Sequence, residues 1–398
     1  MERASLPRLI AMQSRNGNQG QEKLKDLQDQ LSKKGAGQNN DQGHPGARRL
    51  KFLEVAANAI VKLAPTGDMP EAVHQFEPRQ IRAINAALAA RRPLLVRGEP
   101  GIGKSQLARA AAKGLGRAFI PYTVDARTES RDLLWHFDAV ARLAKAQLMG
   151  AMWRACDPDA SNQASLSAGN KDKTEPASVL EPLAIQHFLH PRALWWAFDW
   201  NDALAQAERI GIPAPPQPDG GDPTNGCLVL IDEIDKAEAD VPNGLLEALG
   251  AGCFNPEGRA DPVKAKGDAP LVVITTNEER ALPDAFVRRC LVLHLRLPSD
   301  PKRLAERLIA RGRAHFGRRV SADVLQCAAD LLIADREIAR ENHWLPLPGQ
   351  AEYLDLVRAV ITRERTAKAQ KSLMDAVAEF VLKKHPDAFQ RVPEQDTD

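Results

Sequence analysis

A chain of 398 residues with 43% hydrophobic and 27% charged side chains is long enough to bury a sizeable core, either as one large domain with extensions or as two or three smaller ones. Its 54 Lys and Arg against 52 Asp and Glu leave a net charge of +2, so no global field marks it for nucleic acid, an acidic partner or a membrane surface. Five cysteines, Cys156, Cys227, Cys253, Cys290 and Cys327, form no CxxC pair, no apolar run is long enough to cross a bilayer, and the N-terminus lacks a signal core; together these features predict a cytoplasmic setting.

Residues 1–48 are rich in Gly, Gln and Asn and bury too little apolar surface to offset ordering entropy, so a disordered tail is expected, with at most one brief helix at Leu24, Leu27 and Leu31. The spacing of Phe52, Leu53, Val55, Ala56 and Ile60 predicts a helix over Leu50 to Ile60. A second helix is predicted from Phe76 to Ala90, either as a wall of the adenine pocket or as a cap on a sheet edge.

The apolar run Leu94-Leu95-Val96 leads into Gly98-Glu99-Pro100-Gly101-Ile102-Gly103-Lys104-Ser105, followed by Gln106 and a helix from Leu107. This fits GxxxxGK[ST] at every fixed position and in the required strand, loop, helix context. Glycines let backbone N–H groups curl around phosphate oxygens, and the following helix points its positive dipole end at the same anion. Lys104 reaches the outer phosphates in this pattern, and Ser105 ligates magnesium. Nucleotide binding follows from this stretch alone.

Ala118 to Asp125 reads as a second strand and Glu129 to Trp135 as a short helix. From His136 to Gly226 the character changes: a helical piece with Phe137, Val140, Leu143 and Leu148, a polar stretch Asn162 to Glu175, an aromatic cluster, a helix near Ala203 to Ile210, and the proline-rich loop Pro213 to Pro223. His187 and His190 are spaced to share a helix face, but no Cys or HExxH pattern accompanies them and no metal site is read there.

Leu228-Val229-Leu230-Ile231 ends in Asp232-Glu233, a strand buried on both faces with two carboxylates at the edge where ligands of parallel sheets bind. Behind a complete phosphate loop, Asp232 is the residue to hold magnesium through water and Glu233 the one to polarise the attacking water. Asn243 to Leu249 is a helix. Leu271 to Thr276 repeats the buried-strand pattern and ends in Asn277, which can hydrogen-bond a water or a phosphate oxygen. Ala281 to Arg289 follows as helix, then a last strand Leu291 to Leu295, and four helices at Leu304 to Ala314, Ala322 to Arg340, Gln350 to Arg363 and Gln370 to Lys384.

This order of phosphate loop, carboxylate-ended strand, asparagine-ended strand, arginine pair and helical lid resembles the AAA+ ATPases, and within them most closely the MoxR branch, over Phe76 to Lys384. The resemblance implies an α/β fold: a P-loop NTPase parallel sheet with flanking helices plus a smaller α-helical lid domain. Its expected boundaries are 49–299 for the nucleotide-binding domain with an enlarged insert at about 136–226, 300–385 for the lid, and 386–398 for a polar tail. Lys104 and Ser105 fall on the Walker A pair, Asp232 and Glu233 on Walker B, and Asn277 on sensor 1. Arg289 falls on the arginine finger, which serves the ATP of the next subunit, with Arg288 as the alternative.

The resemblance further implies ATP and Mg2+ as cofactors, a homo-oligomeric ring, expected as a hexamer, and a protein partner carrying a von Willebrand factor A domain. Pro191 to Phe198 resembles a segment that such ATPases carry before Walker B, either facing substrate at a central channel or packing onto its own module. Leu347 to Glu352 lacks the arginine that many AAA+ lids carry as sensor 2, so either another basic residue such as Arg340 substitutes or lid closure is coupled differently. The alternative function is an ATP-driven nucleic-acid motor related to restriction-system ATPases, for which Lys264 and Lys266 are the local hint. A nucleotide switch without hydrolysis is opposed by Glu233.

Overall fold

The computed structural model describes residues 51–156 and 181–388. The chain divides into two compact units at Arg49 and Leu50, and all described residues belong to the second. The tail expected to residue 48, the polar stretch Asn162 to Glu175 and the chain beyond Ala388 lie outside the described residues.

The helix expected over Leu50 to Ile60 is absent. The segment runs irregularly to a turn at Asn58, whose φ is 63°, then enters strand β1 (Ile60–Leu63), which pairs antiparallel with β2 (Ala72–Gln75). The apolar spacing there supplies a point anchor, not a helix face. Leu53 N–H donates to Asn85 Oδ1 at 2.8 Å, its carbonyl accepts from Asn85 Nδ2 at 3.1 Å, and its side chain fills the space beside Gly114, where a Cβ would lie 2.6 Å from Leu53 Cδ1. The second expected helix is α1 (Pro78–Ala90), entered through a capping box of Glu77 and Gln80 with proline in its first turn.

Strand β3 (Leu94–Arg97) passes through the glycine loop into α2 (Lys104–Leu115) and on to β4 (Arg117–Thr123). The short helix expected over Glu129 to Trp135 is a single 3-10 helix, Ser130–Leu133, and Trp135 already belongs to β5 (Trp135–Phe137). After α3 (Ala139–Cys156), β6 (Leu189–Pro191) pairs antiparallel with β5. His187 and His190 therefore share no helix: the first ends a 3-10 turn, and the second sits opposite His136 across the strand pair. Among the described residues no cluster of potential metal ligands occurs.

The aromatic segment forms α4 (Ala193–Phe198) and α5 (Trp200–Ile210). Trp195 is 0% exposed, its indole N–H donates to Asp202 Oδ2 at 2.8 Å, and the Arg259 guanidinium lies 5.2 Å over its ring. Trp196 meets Trp200 edge-on at 4.9 Å. These rings are core, so the packing alternative holds and a substrate-facing role for them does not, as the large area a Trp buries would favour.

Next come β7 (Asp222–Asp232), α6 (Asp240–Ala251), the short hairpin of β8 (Cys253–Phe254) and β9 (Val263–Lys264), β10 (Leu271–Thr276), α7 (Asp284–Arg289) and β11 (Leu291–His294). β11, β3, β10, β7 and β4 form, in that order, a five-stranded parallel sheet. Alternate residues feed the two faces: Leu94, Val96, Leu228, Leu230 and Val273 join one hydrophobic cluster, and Leu95, Val229, Ile231, Val272 and Ile274 the other. The first cluster continues without a break into the helices α8 (Pro301–Phe316), α9 (Ala322–Glu341), α10 (Gln350–Arg363) and α11 (Ala367–Leu382) through Leu304, Leu308, Leu332, Tyr353 and Val357. No helix among the described residues is long and apolar enough to cross a membrane.

Candidate active site

The carboxyl ends of β3, β10 and β7 open into one cavity of about 550 Å³. Of the residues predicted from sequence, Pro100, Gly101, Gly103, Lys104, Ser105, Gln106, Asp232, Glu233 and Asn277 line it. Gly98, Glu99 and Ile102 belong to the same loop but do not: Ile102 is buried beneath it, and Glu99 turns toward the lid. Two glycines are required by space as well as by backbone. A Cβ on Gly98 would stand 2.5 Å from Leu295 O, and one on Gly101, whose φ is 72°, would stand 2.5 Å from Ala351 Cβ.

α2 begins at Lys104 with Gly103 as its N-cap and no side chain capping it, so its first N–H groups stay available to an anion. Lys104 is only 6% exposed and its Nζ donates to Gly98 O at 2.8 Å, Glu99 O at 3.1 Å and Asn277 Oδ1 at 2.6 Å. Burial pulls the ammonium below the ordinary lysine value, against the pull of Asp232, Asp235, Glu233 and Glu278. Ser105 Oγ lies 2.9 and 2.7 Å from the Asp232 carboxylate oxygens. A hydroxyl and a carboxylate in contact form the hard oxygen set that suits Mg2+.

Thr275 was not anticipated from the sequence. It is 0% exposed, its hydroxyl donates to Asp232 Oδ1, and its Oγ1 accepts from Glu233 N–H at 2.9 Å. One side chain thus fixes both carboxylate-bearing residues. Glu233 stands at φ 60°, a left-handed conformation uncommon for a side chain of its size, with its carboxylate in contact with Lys236 Nζ and 3.4 Å from Asn277 Nδ2. The signal for Thr275 in sequence is a polar residue following the apolar run Leu271 to Ile274 of a buried strand.

Of the two readings of α1, a wall of the pocket or a cap on the sheet edge, the first does not hold. α1 contributes no residue to the cavity; the β1–β2 loop does, through Asp68, Met69, Pro70 and Glu71. Arg109 of α2 holds that loop by donating to Pro70 O at 2.9 Å and to Ala64 O. His315, Gln350, Leu354 and Arg358 from the helices close the cavity. Burial, with Arg311 and Arg358 nearby, pushes His315 down to about 4, so its imidazole is neutral at neutral pH.

Arg340, the suggested sensor 2 substitute, is exposed. Of the arginines on the C-terminal helices, Arg358 lies on the cavity wall and Arg336 reaches Glu99 of the glycine loop. Arg336 is 2% exposed, donates to Glu99 Oε1 and Oε2 at 2.7 and 2.8 Å, and donates to Pro348 O at 2.7 Å. It ties the lid to the glycine loop.

Arg288 and Arg289 lie apart from the cavity. They end α7 immediately before β11, whose Leu291 is in register with Leu94 at the start of β3, whereas the glycine loop leaves β3 after Arg97. At about 3.3 Å per residue, the length of β3 alone puts roughly 10 Å between the two edges. Lys264 and Lys266 are both exposed, and Lys266 Nζ pairs with Asp199 Oδ2 at 2.6 Å.

The family model for the AAA domain (dynein-related subfamily) matches residues 93–311. Among solved structures, two variants of RuvB from Thermotoga maritima are similar at 14% and 15% identity, with TM-scores of 0.38 and 0.35. Each alignment covers 75% of this chain, and 68% and 67% of the RuvB chains. No curated protein matches the sequence.

Proposed function

The chain belongs to the AAA domain family, in its dynein-related subfamily, and from that premise we propose that it is a Mg2+-dependent ATP hydrolase of MoxR-like type, working as an oligomeric ring, expected to be a hexamer, to remodel a protein partner. The observation that carries the reading is the convergence of Lys104, Ser105, Asp232, Glu233 and Asn277 on one cavity, while Arg288 and Arg289 stand at the opposite sheet edge. The pocket carries Arg109 and Arg358 of its own chain, and an arginine pair displayed away from it at the other sheet edge fits completion by a neighbouring copy.

In this reading Lys104 exchanges its contacts with Gly98, Glu99 and Asn277 for oxygens of the β- and γ-phosphates, and the α2 N-terminus cradles the same phosphates. Ser105 and Asp232 are the residues that would hold Mg2+, and the ion when bound would neutralise charge developing on the transferred phosphoryl group. Release of Lys104 frees Asn277 to hold the attacking water together with Glu233, which orients that water and accepts its proton. Arg289, or Arg288, from the next subunit stabilises the transition state. The β1–β2 loop and His315 enclose the base.

A von Willebrand factor A domain protein as the partner rests on the MoxR-like resemblance. The nucleic-acid motor is the weaker reading, because its local hint is two exposed lysines, Lys264 and Lys266, the second already ion-paired with Asp199. The Glu233→Gln variant tests the hydrolytic assignment. It is expected to bind ATP with affinity within about threefold of wild type while turnover falls by about a thousandfold. Surviving hydrolysis would remove Glu233 from the role. Capture with that variant in ATP separates the partners: a von Willebrand type protein supports the reading, and DNA or RNA reverses it.

A further inference from the structure

α1 and α7 end beside each other, and one side chain joins them. The chain leaves α1 through Arg91 in a left-handed conformation, with Arg92 N–H donating to Ala87 O at 3.2 Å. The Arg92 side chain then crosses to the end of α7, where Nη2 donates to Arg288 O at 2.7 Å and Nε to Arg289 O at 3.1 Å. Next in sequence, Pro93 O accepts from Leu291 N–H at 2.9 Å. The junction between α7 and β11 is therefore fastened to the junction between α1 and β3 at successive residues.

The chemistry of this contact is specific to a guanidinium. A helix as short as α7, Asp284–Arg289, leaves its last carbonyls without donors inside the helix, and a cation there also meets the negative end of the dipole. The planar fork engages the carbonyls of both arginines at once, which fixes the peptide planes from which their side chains depart. A lysine can reach one such carbonyl but cannot hold two in fixed relation. Among the described residues the Arg288 and Arg289 side chains take part in no hydrogen bond or ion pair, so their backbone is what sets their direction.

We propose that Arg92 is the positioning residue of the arginine finger, acting through the Arg288 and Arg289 carbonyls on the ATP site of the neighbouring subunit. This rests on the reading of Arg288 and Arg289 as groups that serve a neighbour. Because β3 begins at Leu94 and carries the glycine loop at its far end, the same short segment that aims the finger also starts the strand leading to its own nucleotide. Misplacing a catalytic group by about 1 Å costs on the order of a hundredfold in rate, so loosening the Arg92 fork is expected to lower turnover without touching the cavity of its own subunit.

The experiment is subunit complementation in mixed oligomers. Arg92→Ala alone is expected to lose about 10- to 100-fold in kcat with KM for ATP within about threefold, and Arg92→Lys to recover part of the loss. Mixed with Glu233→Gln, which is dead in its own site but presents an intact finger, Arg92→Ala is expected to regain activity above either protein alone. Arg289→Ala and Arg288→Ala mixed with Glu233→Gln are the reference. If a reference mixture regains activity and the Arg92→Ala mixture does not, the loss at Arg92 is a defect in its own subunit and the proposal is overturned. Full activity of Arg92→Ala alone overturns it as well. If neither reference mixture regains activity, the assignment of the finger fails and the proposal falls with it. Should Arg92→Ala not assemble, the same mixture made with Arg92→Lys decides.

Discussion

The two edges of the parallel sheet are built on opposite terms. At the carboxyl edge nearly every polar group is answered within the chain: Lys104 by Gly98, Glu99 and Asn277, Ser105 and Thr275 by Asp232, Glu233 by Lys236. At the amino edge Arg288 and Arg289 have their carbonyls held by Arg92, while their side chains form no hydrogen bond or ion pair among the described residues. The difference teaches that a buried polar cluster needs its partners in place before ligand arrives, since an unpartnered buried group costs about 1–3 kcal/mol. A guanidinium at the surface carries no such requirement and can wait for a partner.

The sharpest way to break this comparison is to remove the waiting charge. Arg289→Ala is expected to bind nucleotide normally, lose about a thousandfold or more in kcat, and keep its fold, measured as steady-state turnover beside nucleotide titration and thermal melting. Equal loss of binding would place Arg289 in its own subunit's site. At the other edge, Thr275→Val keeps the shape of the side chain but strips Asp232 and Glu233 of their shared hydroxyl. Turnover is expected to fall about 10- to 100-fold, with half-activation shifted to higher Mg2+ concentration so that high Mg2+ recovers part of the loss. Unchanged turnover would mean that the carboxylates are held by the backbone alone.

Legibility in the sequence divides along the same line. Gly98 to Ser105, Asp232-Glu233 and Asn277 were readable because each is contiguous with an apolar strand that ends at the site, so the pattern is local. Thr275 was within reach, being polar at a position where Leu271 to Ile274 set a run buried on both faces. Arg336 and Arg92 carried no local signal: each acts on a segment distant in sequence, Glu99 and Arg288–Arg289 respectively, and an arginine near a helix end reads as a solvated charge. The β1–β2 hairpin was missed because its strands are too short for alternation to show, and the spacing before it came from one anchored leucine.

A smaller effect is expected where lid and loop meet. Arg336→Ala frees Glu99 and Pro348 and should loosen the lid; the Glu99 carboxylate is partly exposed, so the ion pair contributes about 1 kcal/mol, roughly a fivefold change in nucleotide affinity, with kcat at saturation nearly unchanged. Isothermal titration of ATP analogues reads this directly. A fall in kcat instead would move Arg336 from lid attachment into the chemistry.

The last test uses protons to tell the two edges apart, because arginines do not titrate in the accessible range whereas histidines packed near the cavity do. His74 is 3% exposed, bonded to Gln80 Oε1 at 3.2 Å, and burial with nearby Arg311 pushes it down to about 3. His315 is pushed down to about 4 for the same reasons. A histidine whose folded value lies below its unfolded value of about 6.5 binds fewer protons when folded, so its contribution to stability is complete above about pH 6.5 and is lost as pH falls through the window down to the folded value. Between about pH 8 and about pH 5, His74 alone should remove about 2 kcal/mol. The melting temperature is therefore expected to drop on acidification, and His74→Gln, which keeps a polar contact but no titrating group, should flatten much of that slope. If the wild-type midpoint holds constant over this range, or the slope survives in His74→Gln and in His315→Gln alike, the wall formed by β2 and α8 is not where the protons act.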